Sequence, residues 1–307
     1  MTDTLWTSDF EWAGSRLRVK KTGALVALDG ATLAGFGRWL PYYLAVQARR
    51  LVLAFDRQRP AIWFTPDRPR PWYLVWAAAA WSGVRVARTP GEASAAFYFE
   101  DATRARAPAA DHARRINFAC TDISKSRVAE VFEAAFGYPL AIDPQRHVGE
   151  AVEKGEANGV HDGRIVQCPT RPRAGRVYQQ LVENVDGGEV VDLRTPFVGG
   201  RPVVVFVKRR PVGERFANAN SSIRLARPEE VFTPREIATL SAFAASMRLD
   251  WGGLDILRDR RTGRLYVVDV NKTDMQPLAL PWLDKLRATH RLGRALRDLV
   301  SSPEPPQ

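Results

Sequence analysis

Apolar residues recur at three- and four-residue steps through Leu40, Tyr43, Leu44, Ala48 and Leu51, which predicts a helix over 39–53 with Pro41 in its first turn. A second helix is predicted over 72–81, where the run WYLVWAAAAW is apolar all round and therefore buried. Between and after these lie short apolar runs bounded by Gly, Pro and charge at 61–66, 84–88, 95–101 and 115–120, each reading as a strand. Helix and strand alternating in this way imply a small α/β layer on a largely parallel sheet. Residues 105–114 are polar and rich in Ala and Pro, and read as a loop.

The pattern changes near residue 120. Ser124 or Ser126 caps a helix whose apolar face is Val128, Val131, Phe132 and Ala135, stopped by Gly137 with Pro139 beyond. A polar, glycine-bearing stretch over 147–170 has strands on either side. Strong strand signals at 176–184 and 201–210 are separated by Gly-Gly turns at 187–188 and 199–200. Thr233-Pro234-Arg235-Glu236 is a capping box opening a helix through Ile237, Leu240, Phe243, Ala244 and Met247. A hairpin follows, turning at Arg261-Thr262-Gly263. There is no internal repeat.

At 307 residues, with 45% hydrophobic and 26% charged positions, the chain is long enough for more than one domain and is neither low-complexity nor fibrous. No apolar run reaches the ~18–20 residues of a membrane helix, so no membrane partner is expected. The N-terminal MTDTLWTSDFEW is acidic and aromatic, unlike a secretory signal. Cys120 and Cys168 provide neither a disulfide framework nor a four-thiolate zinc site, and the expected location is the reducing cytoplasm. Cys120, at a strand end, reads as a small core residue. The net charge of +11 is carried almost wholly by arginine, which pairs well with phosphate and carboxylate. A GC-rich coding bias yields the same composition, so charge alone does not select a partner.

The hairpin carries the chemistry. Asp255 stands between Leu254 and Ile256. Asp269 and Asn271, two apart in a run containing Val268 and Val270, project to one face of a strand while the valines take the other. Two carboxylates and an amide oxygen suit Mg²⁺ carried on phosphates. They equally suit the solvent side of a half-exposed antiparallel sheet, and the pattern alone does not choose.

Gly253-Leu254-Asp255-Ile256-Leu257 followed by Val268-Asp269-Val270-Asn271 resembles the metal-binding signature of the ATP-grasp superfamily, within it the glutathione-synthetase-like and ribosomal-protein glutamate-ligase-like domains, with Asp269 where glutamate is commoner. The resemblance extends over about 120–275. It implies an N-terminal α/β substrate domain (1–118), a central ATP-grasp subdomain with a phosphate loop (119–184), a C-terminal α+β subdomain with the metal site (185–300) and a disordered tail (301–307). It further implies that Gln180, Leu181 and Val182 hold adenine and that Glu183 reaches ribose. Lys154 would reach the phosphates, beneath a loop containing Asn158, Gly159, His161, Asp162 and Gly163, and Lys125, also assigned to nucleotide binding, would open the central subdomain. Gly159 and Gly163 would permit unusual backbone angles. The D-x-R strand supplies Asp192 and Arg194, and Lys208, Arg209 and Arg210 lie near phosphate or an acidic substrate, though adjacent residues cannot all face one site. Asp192 and Arg194 could also simply pair with each other. The segment with Asn218 and Asn220 matches the one before the capping helix. Metal falls to Asp255, Asp269 and Asn271, catalysis to Arg194, Lys208 and Arg210.

The function implied is an ATP- and Mg²⁺-dependent ligase that activates a carboxylate as acyl phosphate and joins it to an amine. The alternatives are an ATP-grasp kinase acting on a hydroxyl, and a non-catalytic nucleic-acid-binding protein on the same scaffold. A homodimer is left open.

Overall fold

A computed structural model describes residues 6–20, 25–27, 29–56, 58–110, 112, 114–159, 162–216, 221–277 and 279–302. His161, Asn218, Asn220 and residues 303–307 of the expected tail lie outside the described residues. A three-stranded antiparallel meander, β1 (Phe10–Ala13), β2 (Arg16–Val19) and β3 (Leu25–Ala27), precedes the first helix. That helix, α1 (Gly30–Val52), begins nine residues before the predicted start, because the Asp29 carboxylate accepts from the Thr32 N–H at 2.8 Å and caps it. Pro41 consequently lies inside the helix, not in its first turn.

The α/β layer follows as predicted: β4 (Ala61–Pro66), α2 (Leu74–Ser82), β5 (Arg85–Val86), β6 (Ala95–Phe99) and β7 (Arg115–Ile116). The four strands form one parallel sheet in the order β5-β4-β6-β7. Residues 105–110 form no regular element, as expected.

Beyond it, α3 (Lys125–Phe136) is capped by Ser124 and stopped by Gly137 at φ +76°. The strands β8 (Gly149–Gly155), β9 (Arg164–Cys168) and β10 (Arg176–Gln180) make an antiparallel sheet in the order β10-β8-β9. The second lobe is a larger sheet. Its strands are β11 (Val185–Asp186), β12 (Glu189–Val198), β13 (Arg201–Pro202), β14 (Val205–Pro211), β15 (Ser222–Ala226), β16 (Trp251–Arg258) and β17 (Leu265–Asn271), with α4 (Pro228–Val231) and α5 (Pro234–Ser246) before β16. The path β15-β14-β12-β16-β17 is antiparallel throughout. In α5 the Thr233–Glu236 capping box forms in both directions.

One core joins Val128, Val131 and Phe132 of α3 to Leu240 and Phe243 of α5 and to Leu254, Ile256, Val267 and Val270 of the hairpin. The valines do not alternate as predicted. A register shift beside Asp255 makes Val268 a bulge residue, so Val267 and Val270 are the ones fully buried.

The last helix, α6 (Trp282–Ser301), follows the C-terminal lobe in sequence but packs on α2 and α1, with Leu292, Leu296 and Val300 in one core with Val75 and Ala78. Gly293 makes this possible, since a Cβ there would sit 2.8 Å from the Ala78 carbonyl oxygen. The second joint between the N-terminal layer and the C-terminal lobe is Asn117, fully buried at φ +61°. Its Oδ1 accepts from the N–H groups of Asp250 and Trp251, both at 2.9 Å, and its Nδ2 donates to the Trp251 carbonyl at 2.7 Å. Its own N–H donates to the Asp250 carboxylate at 2.6 Å.

Replacing Asn117 with alanine strands three backbone groups without water. At ~1–3 kcal/mol for each buried group left unpaired, the loss should be about 3 kcal/mol or more, read from urea unfolding. Asn117→Gly, which accepts the positive φ, should recover only a small part of it.

Candidate active site

The hairpin carboxylates meet because β16 and β17 pair in register: Asp255 is directly opposite Asp269, and Asn271 is opposite Gly253. Their side chains leave the sheet on the face away from α3 and α5. Both carboxylates are partly buried, which is not the solvent face that alternation also allowed. Burial pushes Asp269 above the usual carboxylate range, against the pull of Lys125 and Lys154. Burial acts the same way on Asp255, but Arg194 and Lys208 outweigh it and hold that group below its ordinary value.

Two cations reach this pair, Lys154 from the smaller sheet and Lys125 from the start of α3, a helix that packs in the hairpin's own core. Lys154, on β8, donates to the Val268 carbonyl at 2.9 Å; Lys125, at the start of α3, donates to the Ala157 carbonyl at 2.8 Å and stands 4.0 Å from Asp269. Burial lowers Lys154 to about 8 although Asp269 favours its charged form. Two residues 114 apart, Lys154 and Val268, thereby bridge the lobes.

The three predicted catalytic cations divide. Arg194 is buried and committed: Nη1 donates to Asp255 at 2.7 Å, while Nε and Nη2 donate to Asp274 Oδ1 at 3.2 and 2.8 Å. Gly253 is required beneath it, because a Cβ there would lie 2.7 Å from Arg194 Nε. Arg210 forms an ion pair with Asp192, which also accepts from Asn184 at 3.1 Å. Asp192 and Arg194 therefore do not pair with each other. Lys208 lies opposite Asp192 on β14 and makes no hydrogen bond or ion pair among the described residues. Burial lowers it while Asp255 favours its charge. Arg209 faces the opposite way, to Asp186 and Glu189.

The hinge residues leave the sheet after Gln180. Gln180 donates from its side chain to the Pro139 carbonyl at 2.7 Å, and the buried Val182 accepts at its carbonyl from Arg215 at 3.3 Å. The backbone of Leu181 and the N–H of Val182 have no partner among the described residues. Glu183 is exposed, and its carboxylate accepts from the Val185 N–H at 3.2 Å.

The loop between β8 and β9 is organised differently from expectation. Gly159 does take a positive φ of 76°, but Gly163 does not. Gly163 is required for space, since a Cβ there would lie 2.7 Å from the Phe216 ring. Asp162 turns inward, accepting from the Gly155 N–H at 2.8 Å and pairing with Arg176. Asn158 donates its N–H to Thr103 of the N-terminal layer at 2.8 Å. Arg104 adds an ion pair to Glu156 at 3.1 Å.

The oxygens present fit a divalent cation, with a restriction. Asp255 Oδ2 is engaged by Arg194, and Asn271 Oδ1 accepts from the Thr273 N–H at 2.9 Å. Asp269 Oδ2 and the second Asp255 oxygen remain, flanked by cations that call for an anionic ligand. Sequence reasoning missed Asp274, Arg215, Phe216 and the Arg104 latch. Asp274, five residues past Asp269 in a segment without periodicity, carries no local signal. Cys120 is buried, and burial pushes its thiol up to about 12, as a core residue requires.

Asp274→Ala leaves a buried guanidinium half-paired. Removing one partner of such a pair costs about 3–5 kcal/mol, so its thermal unfolding midpoint should fall well below that of Arg194→Met/Asp274→Leu, which removes both charges.

No family model and no curated protein matches the chain. Among solved structures, the ATP-grasp ligase PsnB complexed with a minimal precursor is 14% identical over 78% of this chain and 98% of its own, with a TM-score of 0.51. A RimK-domain ATP-grasp protein from Sphaerobacter thermophilus is 14% identical over 78% of this chain and 99% of its own, at a TM-score of 0.47. A RiPP-associated ATP-grasp ligase from Chryseobacterium gregarium, solved with ADP and a leader and core peptide, is 12% identical over 81% and 98%, at 0.45. Two lobes closing on a hairpin with paired carboxylates, on a backbone that follows PsnB across nearly all of its length, make the fold of this chain the ATP-grasp fold.

Proposed function

We propose that the chain is an ATP-dependent carboxylate–amine ligase that holds Mg-ATP between its two ATP-grasp lobes. The observation that carries this reading is the meeting of Lys154 from the smaller sheet and Lys125 from the start of α3 with Asp255 and Asp269 of the hairpin. Four cations, Lys125, Lys154, Arg194 and Lys208, crowd partly buried carboxylates. Such a cluster is costly without an anion to share the positive charge. A triphosphate with Mg²⁺ meets that demand, and the free hinge backbone at Leu181 and Val182 offers the donor and acceptor that an adenine edge needs.

On this reading Asp255, Asp269 and Asn271 would hold Mg²⁺, which when bound supplies charge neutralisation at the phosphates. Lys154 and Lys125 orient the phosphate oxygens, and the loop over 156–163 excludes water. A substrate carboxylate oxygen attacks the γ-phosphorus and ADP leaves. Lys208, the uncommitted cation, faces the developing acyl phosphate. An amine then attacks the acyl carbon, inorganic phosphate departs, and the amine gives up a proton. Positioning and charge do the work, and no protein nucleophile is needed. Arg210 contributes through Asp192, not by direct contact.

Screening acids and amines should find a pair that releases ADP, and hydroxylamine should trap the activated acid as a hydroxamate. ADP release with no hydroxamate would favour the kinase reading instead. Asp269→Asn and Asn271→Ala should each reduce turnover by about 100-fold or more with little change in thermal midpoint.

Lys154 gives a pH signature. Burial lowers its free-state pKa to about 8, and a bound triphosphate raises it, so nucleotide binding at pH 8 takes up protons. Affinity should fall as pH rises from 8 towards 9.5, since the neutral amine must first be protonated. Calorimetry in buffers of different ionisation enthalpy reads the uptake. In Lys154→Ala the uptake should vanish and nucleotide affinity should weaken about tenfold, ~1.4 kcal/mol.

A further inference from the structure

Far from the nucleotide cleft, α1, α2 and β5 enclose a cavity of about 590 Å³. It opens where α1 runs out and where the chain enters β4 and β5, at the end of the parallel sheet opposite the cleft. Its floor is apolar, built from Leu51, Trp76, Ala79, Ala80 and Val84. Beside it Leu51 is 69% and Phe55 89% exposed, so apolar surface continues out of the cavity.

Three arginines, Arg50, Arg59 and Arg85, line the same space. Arg59 is tethered by its Nε to the Asp56 carbonyl at 2.7 Å. The side chains of Arg50 and Arg85 are exposed and make no hydrogen bond or ion pair among the described residues. The helix α1 contains no acidic residue, and the neighbouring Asp56 carboxylate caps the Gln58 N–H and faces Arg297 at 3.9 Å. Positive charge at this mouth is therefore uncompensated.

The wall is also an open strand edge. The N–H groups of Arg85 and Ala87 donate inward, to Pro60 and Ile62, at 2.9 and 2.8 Å. The intervening Val86 N–H points outward from the edge strand, and Val86 is itself exposed. A short, charged edge would by itself serve only to block pairing. It would not call for an apolar cavity and an exposed phenylalanine beside it.

We infer that this face docks an extended, acidic and apolar peptide segment, which adds to the β5 edge, sets an apolar side chain into the α1/α2 cavity and presents carboxylates to Arg50 and Arg85. Charge complementarity selects the occupant: a second copy would bring arginine against arginine, and a concave pocket beside a strand edge suits a chain better than a flat bilayer. The inference does not depend on the reaction proposed above.

The probe is a fluorescein-labelled peptide alternating glutamate with leucine and phenylalanine, followed by anisotropy with the full chain. Saturable binding is expected, weakened about tenfold in each of Arg50→Glu and Arg85→Glu while the thermal midpoints stay at the wild-type value. Methylating alternate peptide nitrogens, in each of the two possible registers, should abolish binding in the register whose N–H groups face the β5 edge, and lysine in place of glutamate should also abolish it. The inference is overturned if the peptide does not bind, if the lysine or N-methylated versions bind equally, or if neither arginine variant matters. Phosphatidylglycerol vesicles binding where the peptide does not, or self-association lost in Arg85→Glu, would also overturn it and name the other occupant.

Discussion

The arrangement depends on holding two carboxylates side by side in a partly buried sheet. Asp255 and Asp269 are register partners on adjacent strands, so repulsion and desolvation act on both. The surrounding cations answer them unequally. Arg194 is bound to Asp255 and holds its carboxyl below the ordinary value, whereas Asp269 is served by Lys154 from the smaller sheet and Lys125 from α3. One half of the acidic pair is thus served within its own sheet, and the other draws in part on Lys154, which reaches it from the smaller sheet.

Several apparent oddities follow from that constraint. Gly253 leaves room for the Arg194–Asp274 pair, and Asp274 in turn neutralises the second side of the guanidinium. Arg210 is held by Asp192 and Arg209 points elsewhere, which leaves Lys208, of these three, without a side-chain partner among the described residues. The loop over the site is tied to the N-terminal layer through Thr103 and Arg104, and that layer is fixed to the C-terminal lobe by Asn117 and α6. The N-terminal layer is therefore part of the frame that holds the site closed.

Much of this was legible locally. Ser124 and Gly137 bound α3, the Thr233 box opens α5, and turn glycines separate the strands of the large sheet, because caps and turns act over three or four residues. The hairpin signature located its acidic pair for the same reason: spacing within one hairpin is set by pairing register. Where the reading failed, a distant or unpatterned residue intervened. The cap at Asp29 moved the start of α1 and put Pro41 in its interior, and the bulge at Val268 reversed the valine alternation.

The sequence by itself determined most elements between residues 61 and 271, though neither the N-terminal meander nor α6, and it placed Asp269 and Asn271 on one strand face and Lys154 before a glycine-bearing loop. Only the tertiary structure decided which charges are spent on one another. Arg194 and Lys208 are indistinguishable as candidates in sequence, yet one is saturated by Asp255 and Asp274 while the other has no side-chain partner among the described residues. The physical reason is range. Backbone propensity and strand alternation are properties of neighbours along the chain, but ionic pairing depends on distance through space, and at this site it joins residues as far as 144 positions apart, Lys125 and Asp269.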